Sequence, residues 1–297
     1  MNRIPIPILF LISVVVTVRT ARADFTTGLE AYWAFDDINR TDSSGNGYTL
    51  TNAGSTNVSY TTDSLAGGLS VFFDSSSYLE SGSGITELGD SASSTIQWWV
   101  KPAGDGFVQG GTLLSKYDDD GTWESNESAY YFGDGSGAGA GTRISAVRHG
   151  QGWVHSTADI LTNSDWHQVV FVNDQGTKSI YIDGVASGTT LNGSGFGGND
   201  LAGATVRLGY STGHDGSINY RGYMDETAIW SRALTSSEIS MLYDAGQAGE
   251  SFLTYTPVPE PGSLAILSLF GLLAASHRRR GKGTANSIEE TPSLNRG

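Results

Sequence analysis

Short stretches of alternating apolar residues, separated by turn-forming residues, most constrain what this chain can fold into. An alternation of period two places apolar side chains on one face of an extended strand. The two clearest examples are Ala31, Trp33 and Phe35, followed by Ile96, Trp98 and Val100. Long helical patterns are nearly absent, and the 297 residues include 40 glycines among many Ser, Thr, Asn and Asp. The sequence therefore predicts many short strands joined by turns.

The most complete strand pattern is a hairpin over residues 166–185. An apolar run covers residues 169–172, turn-forming residues cover 173–176, and a second apolar run covers 180–182. Asp183 and Gly184 then give another tight-turn signal. We expect two antiparallel strands here.

One short helix is predicted near residue 240. Thr235 and Glu238 have the spacing of a capping box, and Ile239 and Leu242 share one apolar face. Gly246 is placed to end the helix. A helix of this kind is expected to cover an edge or a face of a sheet.

Residues 1–23 have the pattern of a secretory signal peptide. Arg3 precedes an apolar stretch over residues 4–18, and Ala21-Arg22-Ala23 offers a small-x-small cleavage site. The alternative is a retained membrane anchor, but about 15 apolar residues fall short of the ~20 that a spanning helix needs. We therefore expect export with cleavage. The chain contains no Cys, so an exported body must be stable without disulfides.

The end of the chain combines three elements in a fixed order. Pro259-Glu260-Pro261 predicts an extended, exposed segment. Residues 264–276 are 13 uncharged residues that predict a short membrane helix of about 20 Å. Residues 278–280 are all Arg, which favours the cytoplasmic side of a membrane. Residues 281–297 form a polar tail that we expect to be disordered.

Residues 257–280 therefore resemble the PEP-CTERM sorting signal of bacterial surface proteins. The resemblance implies transient membrane anchoring through the short helix and processing by an exosortase-type enzyme. It places the protein at the cell surface, in the outer envelope or in the extracellular matrix. An ordinary C-terminal membrane anchor is the alternative, and it also leaves the body of the protein outside.

The body between the two signals is strongly acidic. Residues 24–257 carry 9 Lys and Arg against 28 Asp and Glu, which leaves a net charge of −19. Such a surface repels nucleic acid and anionic lipid and attracts divalent cations. Solubility after export is the alternative explanation of the charge.

Four segments of the body carry a second resemblance, namely residues 28–47, 94–102, 166–185 and 222–239. In this order they resemble the laminin-G-like, concanavalin A-like jelly roll. The resemblance implies an all-β fold for residues 24–256, with two antiparallel sheets packed as a sandwich, one of them concave, and one short C-terminal helix. This fold occurs in binding modules and in some polysaccharide-cleaving enzymes, so it leaves the function open.

The resemblance also implies a calcium site that joins the first and last strands. Hard cations prefer carboxylate and carbonyl oxygens on a flexible loop. The expected ligands are Asp36, Asp42, Asn46 and Asp225. Strand alternation places Asp225 on the inward face with Thr227 and Ile229, where a carboxylate needs a partner. The alternative is that these residues only build turns and hydrogen bonds.

A rival metal loop spans residues 116–127. Asp118, Asp120, Gly121 and Glu127 match EF-hand positions, but Lys116 stands where the first carboxylate is required. A solvated loop beside a strand is the better interpretation.

The sequence favours a binding module over an enzyme. Jelly-roll glycosidases carry a Glu-x-Asp-x-x-Glu strand, which is missing here. The alternative is a polysaccharide lyase or hydrolase on the concave sheet. The residues that would suit a lyase are Arg143, Arg148, His149, Gln151 and His155.

Sugar binding needs exposed aromatic side chains with polar neighbours. The candidates are Trp99, Trp123, Tyr130, Tyr131, Trp153 and Tyr210. Adjacent Trp98 and Trp99 must face opposite sides of a strand. We therefore expect an exported, non-catalytic module that binds extracellular polysaccharide or a surface protein, with a structural calcium ion. A matrix protein without a specific ligand is a further alternative.

Overall fold

The computed structural model describes residues 24–82, 85, 88, 93–103, 111–117, 127–132, 143–148, 152–157, 164–193, 204–210 and 219–257. Those up to residue 256 belong to one compact unit. The predicted signal peptide, membrane helix and polar tail lie outside the described residues. Within the described part of the chain, no helix has the length and apolar character needed to cross a membrane.

The described residues contain sixteen strands and one helix. The strands are β1 (Leu29–Trp33), β2 (Thr51–Asn52), β3 (Ser59–Thr61), β4 (Ser70–Asp74), β5 (Leu79–Glu80), β6 (Ser94–Pro102), β7 (Thr112–Tyr117), β8 (Ser128–Phe132), β9 (Ile144–Arg148), β10 (Gly152–Ser156), β11 (His167–Asp174), β12 (Thr177–Ile182), β13 (Val185–Ala186), β14 (Thr189–Gly193), β15 (Thr205–Leu208) and β16 (Arg221–Trp230). The helix is α1 (Ser236–Gln247).

The strands form two antiparallel sheets of eight strands each. The first sheet has the order β13-β12-β11-β6-β16-β4-β3, with β1 also paired to β16. The second sheet has the order β14-β10-β9-β8-β7-β15-β5-β2. The predicted hairpin is confirmed as β11 and β12, where Asp174 pairs with Thr177 across the turn.

One hydrophobic core lies between the two sheets. It includes both sets of alternating residues that the sequence predicted: Ala31, Trp33 and Phe35, and Ile96, Trp98 and Val100. The second sheet contributes alternate residues of β8, β9, β10 and β15. The period of two therefore marks the inner face of each sheet, and the intervening residues face outward.

Helix α1 and a second hydrophobic cluster cover the outer face of the first sheet. The predicted capping box is confirmed, because the Thr235 side chain accepts a hydrogen bond from the Glu238 backbone and the Glu238 carboxylate reaches back to Thr235 N. Ile239 and Leu242 are buried against the sheet together with Val170.

The prediction that Gly246 ends the helix is wrong. The helix continues to Gln247, with Ala248 as the C-cap. Gly246 is buried against the ring of Trp99, where any added Cβ would collide with the indole. A tertiary contact therefore explains this glycine.

The two ends of the described body meet on the same face. Phe252, which follows the helix, packs against Phe25, Tyr32 and Trp230, with ring centroids 4.5–5.6 Å apart. The indole of Trp230 also donates a hydrogen bond to the Phe25 carbonyl over 2.8 Å. The segment around Phe252 thus closes the outer face of the first sheet.

Candidate functional site

The loop after β1 is organised by Asp42. Its buried carboxylate accepts hydrogen bonds from the backbone N–H groups of Tyr32, Ser44 and Tyr48 at 2.9–3.0 Å, and from the Ser44 hydroxyl at 2.8 Å. The amide of Asn46 donates to the carbonyls of Leu29 and Glu30. Both residues therefore hold the loop against β1, and a metal role for them stays a prediction.

Asp36 lies at the start of the same loop and is exposed to solvent. Partial burial, followed by the charge of Asp37, raises the pKa of Asp36. Gly68, with φ of +71°, packs directly against the Asp36 carboxylate, and an added Cβ would collide with it. This glycine therefore lets a second loop approach the Asp36 side chain.

Asp225 lies in the centre of β16 and is 1% exposed. Its carboxylate accepts hydrogen bonds from the backbone N–H groups of Leu65 at 2.9 Å and Glu226 at 3.0 Å. Burial, followed by the charge of Glu226, raises the pKa of Asp225 well above its ordinary value. The predicted burial of this carboxylate is confirmed.

The predicted face of Asp225 is wrong. Asp225 pairs with Trp99, whose ring stacks on Tyr243 of α1 at 5.6 Å, so it lies on the helix side of the first sheet. Ile229 instead faces the core between the sheets. The register of β16 shifts between Asp225 and Ala228, and Glu226 has φ of +45°. This irregularity reverses the alternation within the strand.

Glu226 is a site residue that the sequence analysis missed. It is 2% exposed, and its carboxylate accepts a hydrogen bond of 2.6 Å from the Tyr32 hydroxyl. Its other carboxylate oxygen, Oε1, has no hydrogen-bond partner among the described residues. Burial raises the pKa of Glu226 to about 8, and the Asp36 charge adds to this effect. Two adjacent acids within a predicted strand were the available signal.

Asp36, Asp225 and Glu226 form what we call the carboxylate cluster. Their charges act on one another, and none of the ion pairs in the described part of the chain involves them. Within that part, no group of three or more His, Asp or Glu side chains is arranged so that it could hold a metal ion. The cluster supplies oxygen ligands of the type that calcium prefers, with one unused buried oxygen on Glu226.

The outer face of the second sheet offers a different kind of site. A continuous row of paired residues crosses six strands: Trp153, Val147, Ala129, Ser115, Arg207 and Glu80. At a strand spacing of ~4.8 Å the row is about 24 Å long. Trp153 lies at one end, and its indole N–H has no hydrogen-bond partner among the described residues. We call this row and its neighbouring side chains the second-sheet face.

The other end of the second-sheet face is polar and aromatic. Arg207 and Glu80 approach to 3.4 Å, and Glu80 is partly exposed. Beside them Tyr78 and Tyr210 stack with ring centroids 4.3 Å apart. Small side chains such as Ser115 lie between the two aromatic ends.

The structure separates the six predicted sugar-binding aromatics. Trp99 packs under the helix and Tyr130 lies in the core, so neither can contact a ligand at the surface. Tyr131, Trp153 and Tyr210 are half-buried on the second-sheet face. Trp123 lies outside the described residues.

The residues considered for lyase chemistry do not share one face. Arg148 reaches Ser128 and the Leu88 carbonyl on the core side of the second sheet. His155 follows core residue Val154 and therefore points outward. Because the sheet separates these two side chains, they cannot act together on one substrate. Arg143 precedes β9, and His149 and Gln151 lie outside the described residues.

The segment of residues 116–127, considered above as a rival metal loop, lies mostly outside the described residues, since only its ends are described. Lys116 is buried in β7 and donates a hydrogen bond to the Ile85 carbonyl over 3.2 Å. Glu127 is also buried, next to the start of β8. The cationic Lys116 thus has a structural role within the sandwich.

Two face-to-face antiparallel sheets, with a helix over one outer face, define the class of jelly-roll β-sandwiches. The chain belongs to the Concanavalin A-like lectin/glucanases superfamily, whose family model matches residues 73–240. A PEP-CTERM protein-sorting motif matches residues 257–280 and marks an exported surface protein. Both resemblances expected from the sequence are therefore confirmed. Comparison with curated protein sequences gives no match.

Solved structures agree on the fold at low sequence identity. Domain 4 of AbnA, a GH43 extracellular arabinanase from Geobacillus stearothermophilus in complex with arabinotriose, is 20% identical with a TM-score of 0.50. The match covers 72% of this chain and 98% of that domain. The receptor binding domain of botulinum neurotoxin D is 13% identical, with a TM-score of 0.53, over 74% of this chain and 53% of that one. The binding domain of Paraclostridial Mosquitocidal Protein 1 is 17% identical, with a TM-score of 0.52, over 73% of this chain and 52% of that one. The chain therefore spans about half the length of these two binding-domain chains.

Proposed function

We propose that this protein is an exported, non-catalytic module that binds extracellular polysaccharide through the second-sheet face. The observation that carries the proposal is the half-buried ring of Trp153 at one end of this face and the Tyr78–Tyr210 stack at the other. Aromatic rings offer apolar faces to sugar C–H groups, and polar side chains such as Glu80 accept hydroxyl hydrogen bonds. The arabinotriose complex of a similarly folded domain supports this ligand class.

Retention by polysaccharide in native gels tests the proposal. The full chain is run through gels containing linear arabinan, xylan, dextran or alginate, with calcium present. We expect retardation by at least one of them, and Trp153→Ala should weaken it about fivefold because one stacking ring is lost. Val185→Ala, at a 68% exposed site elsewhere, is the control and should leave retention unchanged. A wild-type chain that no polysaccharide retards would refute the proposal.

The alternative is a polysaccharide lyase or hydrolase. The opposite faces of Arg148 and His155 argue against a lyase built on these residues. The same four polysaccharides, incubated with the chain, should therefore release neither unsaturated products nor new reducing ends. Release of either product would replace the binding proposal with an enzymatic one.

We also propose that the carboxylate cluster binds a structural calcium ion. Asp36 and Asp225 are the ligands common to the sequence prediction and the cluster, and Glu226 adds a buried oxygen. A divalent cation could replace the protons on two buried carboxyl groups that no Lys or Arg among the described residues pairs with.

Calorimetry tests the calcium proposal directly. Calcium should bind with about one site per chain and raise the melting temperature, because binding to the folded state alone stabilises it. Asp225→Asn should abolish both effects, whereas Asp74→Asn, a turn residue elsewhere, should keep them. An unchanged melting temperature with calcium and with chelator would contradict the proposal.

Sorting to the cell surface is the third part of the proposal. The motif at residues 257–280 supports handling by an exosortase-type enzyme after transient membrane anchoring. Replacing Pro259-Glu260-Pro261 with three alanines should leave an unprocessed chain in the membrane fraction. Immunoblotting of fractionated cells measures this. Normal processing of the altered chain would contradict the assignment.

A further inference from the structure

We propose that the first sheet carries a second contact site for neutral polysaccharide, on the part of its outer face beyond helix α1. This inference rests on the proposed function and adds a site on the opposite layer. The site consists of Phe72, Tyr223, Lys101, Trp166 and Asp63, which we call the aromatic row.

The strand register aligns these side chains across the first sheet. Tyr223 pairs with Phe72 on one side and with Lys101 on the other. His167, the first residue of β11, pairs with Val100 of β6. Trp166 and Lys101 are the chain neighbours of this pair, so they lie beside each other. At ~4.8 Å per strand, the four positions span about 14 Å.

The row faces away from the sandwich interior. Met224 and Val100, the chain neighbours of Tyr223 and Lys101, both lie in the core, so the alternate side chains point outward. Helix α1 covers the same face only as far as Trp99, where Tyr243 and Gly246 contact the indole. Lys101 lies two residues further along β6.

The rings form one partly exposed group. The Tyr223 ring centroid lies 4.9 Å from that of Phe72 and 6.5 Å from that of Trp166, and Lys101 Nζ lies 6.0 Å from the Tyr223 centroid. All four side chains are half-buried. Neither hydrophobic cluster of the described residues includes these three aromatic rings. Core packing therefore does not account for them.

Asp63 adds hydrogen-bonding groups beside the rings. Its carboxylate accepts from Lys101 Nζ at 2.7 Å and from the Trp166 indole at 3.3 Å, and the Lys101 hydrogen bond lowers the pKa of Asp63. The Asp63 and Lys101 side chains are 45% and 24% exposed. A partly exposed acceptor and donor next to aromatic rings match sugar hydroxyls, which both donate and accept.

Other ligand classes fit the row less well. Stacking of nucleic acid bases is opposed by the net charge of −19 on the body. A stable protein partner needs about 800 Å² of surface on each side with an apolar centre. The two large apolar residues that stand exposed in the described part of the chain, Ile38 and Val185, lie outside the row. An uncharged polysaccharide is therefore the occupant that we assign.

Combined variants separate this site from the second-sheet face. The full chain and its variants are run in native gels containing linear arabinan, xylan or dextran. Trp166→Ala should weaken retardation about fivefold, because one stacking ring is removed. Trp153→Ala alone should leave residual retardation, and the Trp153→Ala, Trp166→Ala double variant should lose it. Asp63→Asn keeps the shape of the site and should also weaken retardation, which covers the case of a misfolded Trp166 variant.

The outcomes distinguish the two proposals. If the wild type is retarded but Trp166→Ala and Asp63→Asn behave like it, the second site is refuted and the proposed function stands. If Trp153→Ala behaves like the wild type while Trp166→Ala abolishes retardation, the aromatic row is supported and the second-sheet face is not. If none of the polysaccharides retards the wild type, both are refuted. Val185→Ala serves as the folded control throughout.

Discussion

At the scale of single residues, the balance of burial and charge at Glu226 is the most consequential feature. A carboxyl group that is 2% exposed and has a pKa of about 8 is protonated at neutral pH in the folded metal-free protein. Asp225 is buried beside it with a raised pKa, and Asp36 faces the pair. The folded state therefore holds protons that the unfolded chain releases near pH 4.5.

Glu226→Gln should change how stability depends on pH. Because the folded pKa lies above the unfolded value, the contribution of Glu226 is complete below about pH 4.5 and is lost as the pH rises towards 8. Gln cannot ionise, so above pH 8 the variant should be more stable than the wild type by up to about 5 kcal/mol. Urea unfolding across this range in chelator measures the difference. Parallel stability curves for the two proteins would contradict the assigned pKa.

At the scale of elements, the sequence predicted the features that depend on residues close together in the chain. The inward residues of β1 and β6, the β11–β12 hairpin and the capping box at Thr235 depend on neighbours within a few residues. The role of Gly246 depends on Trp99, far away in the sequence, and could not be read from the helix alone. Of the carboxylate cluster, the sequence predicted Asp36 and Asp225 but not Glu226. The irregularity in β16 turns Glu226 towards Tyr32, and it leaves no period-two signal in the sequence.

The segment after α1 should be a stabilising element. Phe252→Ala removes a buried ring that contacts Phe25, Tyr32 and Trp230, which should lower the free energy of unfolding by about 3 kcal/mol. Glu250→Ala, at an exposed position of the same segment, should change it by less than about 0.5 kcal/mol. Urea unfolding followed by tryptophan fluorescence measures both. Equal effects of the two substitutions would show that the segment does not pack as described.

At the scale of the whole molecule, the outer faces of the two sheets differ in what covers them. Helix α1 and the Phe252 segment cover one end of the first sheet and leave the aromatic row at the other. The second sheet has no such helix in the described part of the chain. The two ends of its row, Trp153 and Glu80, are partly exposed, whereas Ala129, Ser115 and Arg207 between them are buried. This division follows from strand order, which joins residues that are more than a hundred positions apart.

The body should fold without the segments at either end of the chain. All residues of the core, of the second hydrophobic cluster and of the hydrogen bonds described above lie within residues 24–257. A fragment of residues 24–257 should therefore unfold cooperatively, with a melting temperature within about 2 °C of the full chain, because all of these contacts remain. Calorimetry of both proteins measures this. A fragment without a cooperative transition would place essential contacts outside the body.

The contact between Phe25 and Phe252 brings the two ends of the body side by side, with ring centroids 5.6 Å apart. A short peptide could bridge them and turn the body into a closed ring. New termini could then be opened in a surface turn, such as the one between β11 and β12, to give a circular permutant with the same two sheets.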